Sequence, residues 1–473
     1  MPDRGGSVTA PQVQGFAART VILGLGVTGA SCVRHFVGRS AVVVLDTRDQ
    51  PPHMDLMRDF PQAEYRFGDT ANSFEFKASD TVVVSPGLPL EHPLAQKGSR
   101  AGARLTSDVE LFLDAVASAG AEPVYAITGT NGKSTVTALV GHLLRALGCN
   151  PGVGGNLGDA ALDLLRTPRD CWVLELSSFQ LERLPAYPFA AATVLNLSDD
   201  HLDRHGSMAA YGAAKRRIYR NAKRCVFNRE DAATFPNQAV STHGSGCRAS
   251  NICFGADSPA AGQWGLRLQD GRRWLACGEL NFLAEDRVPL AGTHNLANAL
   301  AALALVAPVD LPRNPAQQER LRAGLQSFVG LPHRCVQVAT RSGVRYVNDS
   351  KATNVGATLA ALAGLGVDDR RNVILIAGGE GKGADFAPLR PAVARHVKAV
   401  VLIGRDAPRL AEVLRDLAPL ERASDMGDAV RRAAALAASG DTVLLAPACA
   451  SLDMFANYAA RGEAFAAAVE QLS

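Results

Sequence analysis

Apolar residues fall in short runs, set off by glycines and charged residues, that alternate with segments of helical period along most of the chain. In a first block "TVILGLG", "AVVVLDTR" and "TVVVSPG" predict strands, with helices over 27–38 and 107–118 and a connector in "ASAGAEP" at 117–123. A second block offers the strands "PVYAITG", "CWVLELSS", "AATVLNLS" and "RCVFN", then "WGLRLQDGRRWLACG", which reads as a hairpin turning at Asp270-Gly271. The helix "HNLANALAALALVA" follows, and "VGLPHR" at 329–334 marks the next boundary. In the third block "NVILIAGG", "AVVLIG" and "DTVLLAP" are strands between Ala- and Leu-rich helices. The alternation predicts an α/β protein of three domains, over 1–120, 121–330 and 331–473.

Composition narrows the class. A chain of 473 residues exceeds what one hydrophobic core supports, and 47% hydrophobic with 20% charged residues suits a globular protein. A net charge of +3 without a long Lys/Arg run argues against nucleic acid as a partner. The nine cysteines are scattered, odd in number and free of C-x-x-C pairs, as expected of free thiols in a reducing compartment. The first residues, "MPDRGGSVTAPQVQGFAART", lack a signal-peptide core, and no apolar run approaches the ~20 residues that span a bilayer. A cytoplasmic protein without membrane insertion is expected.

Two glycine-rich turns carry the candidate chemistry. "GLGVTG" places Gly24, Gly26 and Gly29 between a strand and a helix, with Asp46 ending the next strand. That is the dinucleotide fingerprint, yet a diphosphate of any parentage fits the same helix N-terminus, so NAD and a UDP-linked molecule both remain open. "TGTNGKST" ends like a P-loop, but Ile127 stands where the usual first glycine would be. Lys133 can still neutralise phosphate charge and Ser134 can still ligate magnesium. Glu175, near the end of the block's second strand, is a natural magnesium carboxylate, with an ordinary edge acid as the alternative. "NLSDDHLDRH" supplies Asp199, Asp200, His201, Asp203 and His205; its H-x-x-x-H pair lacks the zincin glutamate, since Leu202 follows His201. "YGAAKRRIYRNA" is helical and carries Lys215, for which a surface basic helix is the bland reading.

In order along the chain, "GTNGKST", "GGNLGDAALDLL", "LELSSFQLE", "DDHLDRH", "YGAAKRRIY", "THNLANALAALAL", "GLPHR", "NDSKATN", "GGEGKGADF" and "PACASLDMF" resemble the Mur ligase family of ATP-dependent amide-forming enzymes. The resemblance covers nearly the whole chain and implies Rossmann-like first and third domains flanking a central P-loop ATPase-like domain. It implies ATP as co-substrate and the joining of D-glutamate to UDP-N-acetylmuramoyl-L-alanine through an acyl phosphate, by a monomer acting on small molecules. Uridine and diphosphate contacts would fall on Val27, Thr28, Asp46, Thr47, Arg48, Ser85, Pro86 and Gly87, with Asn156 and His201 facing the muramoyl end. The loop residues Gly129, Thr130, Asn131, Gly132, Lys133, Ser134 and Thr135 would hold ATP with Asn295, Asn298, Arg334, Asp349 and Lys351. Ser134, Glu175, His201 and a carbamylated Lys215 would bind Mg2+, and Lys133, Glu175, His201 and Lys215 would carry catalysis. Thr353, Lys382, Ser451 and Tyr458 would bind glutamate; their bland readings are a helix cap for Thr353, a loop cation for Lys382 and core packing for Tyr458. Three residues depart from the family's familiar pattern: Tyr458 for Phe, Glu380 for Asp and Asp199 for Glu.

Overall fold

A computed structural model describes residues 19–120, 122–236, 250–290, 292–308, 310–366 and 370–472. The amino-terminal segment read for targeting, Cys247, Ala121 of the expected connector and the side chain of Asp203 lie outside the described residues. Among those described, the strands form three sheets in chain order.

The first sheet holds β1 (Arg19–Leu23), β2 (Ala41–Asp46), β3 (Glu64–Phe67), β4 (Asp80–Val84) and β5 (Arg104–Thr106), all parallel, in the order β3-β2-β1-β4-β5. The reversal of order between β2 and β4 puts the glycine turn after β1 at the crevice where such sheets take ligands. The helix Asp108–Ala119 reaches past the expected connector start, and Gly120, at φ +132°, ends it. Its Phe112 packs edge-on against Trp172, ring centroids 5.2 Å apart, so the first two units share core.

The central sheet runs from β6 (Val124–Thr128) through β7 (Pro151–Gly155), β8 (Cys171–Glu175), β9 (Ala191–Val194), β10 (Arg224–Asn228) and β11 (Ser250–Phe254) to β12 (Trp264–Gln269), β13 (Arg272–Cys277) and β14 (Leu280–Ala284). Its inner strands are parallel and buried; β12, β13 and β14 form an antiparallel edge. Asp270 and Gly271 both have positive φ, 52° and 72°, as the two-residue turn between β12 and β13 requires. Glu175 ends the unit's third strand in sequence, not the second, because "PGVGG" forms β7. That segment carries no strand signal: its glycines are there for closeness, and a Cβ on Gly152 would lie 2.5 Å from the Trp172 ring.

The third sheet is ordered β15-β16-β20-β17-β18-β19, from β15 (Val336–Arg341), β16 (Val344–Asn348), β17 (Val373–Gly378), β18 (Val397–Ile403), β19 (Leu420–Arg422) and β20 (Thr442–Leu445). All its pairings are parallel except that of β15 with β16 at one edge. Every residue of β17 is buried, as expected of a strand covered by helices on both faces. Among the described residues no helix is long and apolar enough to cross a membrane.

Candidate active site

The turn after β6 is held rigidly. Asn196 pairs with the backbone of Asn131, accepting from its N–H at 2.8 Å and donating to its carbonyl at 3.0 Å. The Thr130 hydroxyl donates to the Ser198 carbonyl at 3.2 Å and accepts from the Ser198 N–H at 3.1 Å. Gly132 sits at φ +81°, and a Cβ there would lie 2.4 Å from the Asn298 side-chain oxygen, so only glycine lets the turn lie on the helix Thr293–Val306. The helix Lys133–Ala146 then starts on the lysine itself, aiming its unsatisfied first-turn amides into the turn.

Two lysines converge on one carbonyl. Lys133 Nζ donates to Gly129 O at 3.0 Å and Thr130 O at 2.7 Å, while Lys215 Nζ donates to the same Gly129 O at 2.8 Å and to Thr128 Oγ1 at 3.3 Å. Lys215 is 2% exposed, with its ammonium 4.7 Å over the Tyr211 ring, so the surface-helix reading fails. Burial, and then the neighbouring Lys133, hold its pKa well below that of an ordinary lysine, against opposing pull from Asp200 and Glu175. Burial likewise lowers Lys133, against Glu175 and Asp200.

Glu175 is 2% exposed. Its Oε1 accepts from Asn156 Nδ2 at 2.8 Å, whereas Oε2 is buried without a partner. An orphaned carboxylate oxygen among cations is costly unless something else is meant to bind it. Asn156, expected to face the muramoyl end, therefore also orients this carboxylate. His201 sits at φ +54° ahead of the short helix Leu202–His205, its ring 5.0 Å from that of Phe179 and its Nε2 3.7 Å from Asp200. His205 is taken up elsewhere, with Nε2 3.0 Å from Ser178 Oγ and its ring stacked on Phe179. Both histidine rings lie against Phe179 and Tyr211, and among the described residues neither belongs to a group of three potential metal ligands.

Residues from the third unit complete this centre. Arg334 donates to Ser134 Oγ at 2.6 Å across 200 residues of chain. Beside it opens a cavity of about 460 Å3, lined by the expected Asn131, Gly132, Thr135, Asn295, Asn298, Arg334, Asp349 and Lys351. Leu195, Phe254 and Leu359 give it an apolar wall. Burial raises Asp349 to about 7, offset by the Cys335 N–H and Arg334. Burial, then Arg334, lowers Lys351 to about 8, and its ammonium rests 4.0 Å over the Tyr458 ring. Lys133, Arg334 and Lys351 bring positive charge to this centre beside the carboxylates of Glu175, Asp200 and Asp349, and the cations are the groups a polyphosphate would meet.

The first glycine turn differs in kind. A Cβ on Gly29 would lie 2.0 Å from Gly24 O, which explains the fingerprint spacing as strand–helix packing. Asp46 accepts from the Leu25 N–H at 2.8 Å and from Arg48 through backbone N–H, Nε and Nη2 at 3.0, 2.9 and 2.7 Å. Burial raises its pKa, but these bonds outweigh burial and leave it below an ordinary aspartate. Both oxygens are engaged, which leaves poor terms for a ribose diol and disfavours the NAD reading. Val27, Thr47, Arg48 and Gly87 are exposed, Thr28, Ser85 and Pro86 half-buried, and Ser85 Oγ donates to Gly24 O at 3.2 Å.

In the third unit Asn354, not Thr353, caps the helix Val355–Leu365, accepting from Ala357 N–H at 2.8 Å. Lys382 is exposed at φ +49°, in a turn that Asp406 holds by accepting from Gly381 N–H at 2.7 Å. Reciprocal backbone bonds between Glu380 and Ala450, at 3.0 and 2.9 Å, bring this turn beside buried Ser451. Half-buried Tyr458 opens the helix Tyr458–Glu470.

The Mur ligase MurD-like N-terminal domain matches residues 18–107, the Mur ligase middle domain 127–306, and the Mur ligase glutamate ligase domain 333–449. The UDP-N-acetylmuramoylalanine–D-glutamate ligase of Pseudomonas syringae pv. tomato is 47% identical over 455 residues, 96% of this chain and 98% of that protein. The chain belongs to the Mur ligase family. A protein of the same name from Pseudomonas aeruginosa is 46% identical over 96% of this chain and 98% of its own length. Among solved structures, UDP-N-acetylmuramate-alanine ligase MurC of Thermotoga maritima superposes with a TM-score of 0.58 at 18% identity, covering 96% of this chain and 99% of that one. That similarity speaks to the Mur ligase fold alone.

Several residues that shape this Mur ligase site escaped sequence reasoning. Asn196 grips the loop at Asn131, and the Tyr211 hydroxyl lies 3.3 Å from Thr130 Oγ1; only "NLS" after a strand hints at the first. Arg461, 1% exposed, donates to Ser350 Oγ and O at 3.0 and 2.8 Å and to Cys449 O at 3.1 Å, tying the Asp349–Lys351 segment to the Ser451 loop. "YAARG" gives no sign of a buried arginine.

Proposed function

We propose that this chain adds D-glutamate to UDP-N-acetylmuramoyl-L-alanine at the expense of ATP, in peptidoglycan precursor synthesis. The convergence of Lys133 and Lys215 on Gly129 O, beside the unpartnered Glu175 oxygen, carries the reading. The acceptor and amino acid are those of the UDP-N-acetylmuramoylalanine–D-glutamate ligases to which the chain is 46–47% identical. Units 1–120, 121–330 and 331–473 would hold the UDP portion, ATP and glutamate. Dependence on ATP assigns the reaction to the cytoplasm, and all its partners are small molecules handled by a monomer.

The alanyl carboxylate attacks the γ-phosphorus, the bond to ADP breaks, and the acid becomes an acyl phosphate. The glutamate amine then attacks the acyl carbon, phosphate leaves with the bonding pair, and the amine proton passes to His201 or its neighbour Asp200. Lys133 exchanges its two loop carbonyls for phosphate oxygens, Arg334 closes over Ser134, and Asn295 and Asn298 border the nucleotide beside the apolar wall. Val27, Thr28, Thr47, Arg48, Ser85, Pro86 and Gly87 hold the uridine diphosphate, and Asp46 shapes that turn by accepting from Leu25 N–H and Arg48. Thr353, Lys382, Ser451 and Tyr458 receive the amino acid.

Ser134 and Glu175 fit a magnesium ion, both being hard oxygen donors and one oxygen of Glu175 being buried and free. Bound there, the ion supplies neutralisation of the triphosphate. Lys215 fits a carbamate. Burial and Lys133 favour its neutral amine, which adds carbon dioxide with loss of one proton and so becomes an anionic partner, with His201, for a second magnesium. The deciding assay is phosphate release from ATP with UDP-N-acetylmuramoyl-L-alanine, comparing D-Glu, L-Glu and other amino acids. Release with D-Glu alone is expected; equal release with L-Glu, or none with any amino acid, refutes the assignment.

A further inference from the structure

At the end of the central sheet opposite the phosphate loop, two thiols and a carboxylate lie together. The helix Lys133–Ala146 ends in a left-handed Gly148, φ +94°, and Cys149 N–H donates to Leu144 O at 2.9 Å, which fixes the backbone of Cys149. Cys171 opens β8 and is 4% exposed; Asp170 precedes it at the surface. Asn150 N–H donates to both Asp170 oxygens at 2.9 and 3.0 Å, and Arg169 donates to Asn150 Oδ1 at 2.6 Å, so the two connecting segments are stitched together. One ligand atom from each of Cys149, Asp170 and Cys171 lies within 4.8 Å of the others.

We propose that Cys149, Asp170 and Cys171 form a three-ligand site for a thiophilic divalent cation of the zinc type, separate from the phosphate-binding centre. Zn–S bonds of about 2.3 Å set tetrahedral sulfur atoms about 3.8 Å apart, and the ligand atoms of the cluster lie within 4.8 Å of one another. The Asn150 N–H orients the carboxylate as outer partners do in zinc sites. Both thiols must release a proton on binding, giving two thiolates and a carboxylate around a doubly charged ion, with a fourth position open to water. Magnesium prefers hard oxygen ligands and does not compete here. The length of β8, from Cys171 to Glu175, separates the cluster from the other centre by roughly 13 Å at ~3.3 Å per residue.

The test titrates the full chain with Co2+ and then Zn2+, in excess Mg2+ and a non-chelating reductant. One equivalent with a thiolate-to-cobalt absorption band, displaced by Zn2+, is expected. Cys149→Ser should abolish the band while ligation in Mg2+ alone stays at the parent rate, and Asp170→Asn, which leaves both thiols, should weaken binding at least ~10-fold. Absence of the band, a band unchanged in Cys149→Ser, or an affinity unchanged in Asp170→Asn would overturn the site and assign any uptake to other cysteines.

Discussion

The two glycine turns of this chain begin alike and end differently. Each follows a parallel strand, bends through glycine at positive φ, Gly24 in the first and Gly129 and Gly132 in the second, and opens a helix whose amides face the crevice. After β1 the nearest charges, Asp46 and Arg48, satisfy each other and leave a quiet platform. After β6 two lysines share one carbonyl and a buried carboxylate keeps an oxygen free. The backbone nest is common property. What such a nest can do depends on the charges that arrive from elsewhere in the chain and on whether, like Glu175 Oε2, they keep an atom without a partner.

The largest expected effect sharpens that contrast. Lys133→Ala should abolish ADP formation that depends on both substrates, a loss of at least ~1,000-fold, with UDP-substrate binding retained by calorimetry. Turnover near the parent rate would put the two turns on an equal footing. Lys215→Ala should lose about 100-fold or more in kcat and recover partly when short carboxylates are added; an enzyme needing no rescue would remove the carbamate. Glu175→Gln keeps an acceptor for Asn156 but drops the charge, so the magnesium concentration for half-maximal rate should rise ~10–100-fold. Asp46→Asn loosens the quiet turn: KM for the UDP substrate should rise several-fold with KM for ATP unchanged, and a matching change in both would show the turns are coupled. Smallest is Asn354→Ala, which removes a helix cap and should cost about 1 kcal/mol in denaturant unfolding; Thr353→Ala should cost less stability but raise KM for glutamate.

Much of the fold was legible because its strands announce themselves. "VILIAG" and "TVLL" are uninterrupted apolar runs, as two covered faces demand, and Asp270-Gly271 names its own turn. What escaped were pieces whose sequence carries no pattern. "PGVGG" is a strand because Trp172 and the Glu175 backbone press against its glycines, and β15 with β16 form an edge from mixed residues. In the site, the position of Lys133 and Ser134 at the opening of a helix after a strand could be read directly, because strand, glycine turn and helix are each local patterns. The burial of Lys215 could not, because "AAKRR" is as basic as any surface helix and only packing against Tyr211 and the loop removes that lysine from water.

The order of residues by itself determined the three α/β blocks, the two turns and the kinship, because hydrophobic period, glycine placement and strings of ligating residues are local properties. The tertiary structure alone decided which charges would meet: Arg334 reaching Ser134 across 200 residues, Asn156 turned onto Glu175, Asp46 spent on Arg48. Burial and pairing are relations between distant segments. They set the protonation and free valence of each group, and no single segment contains them.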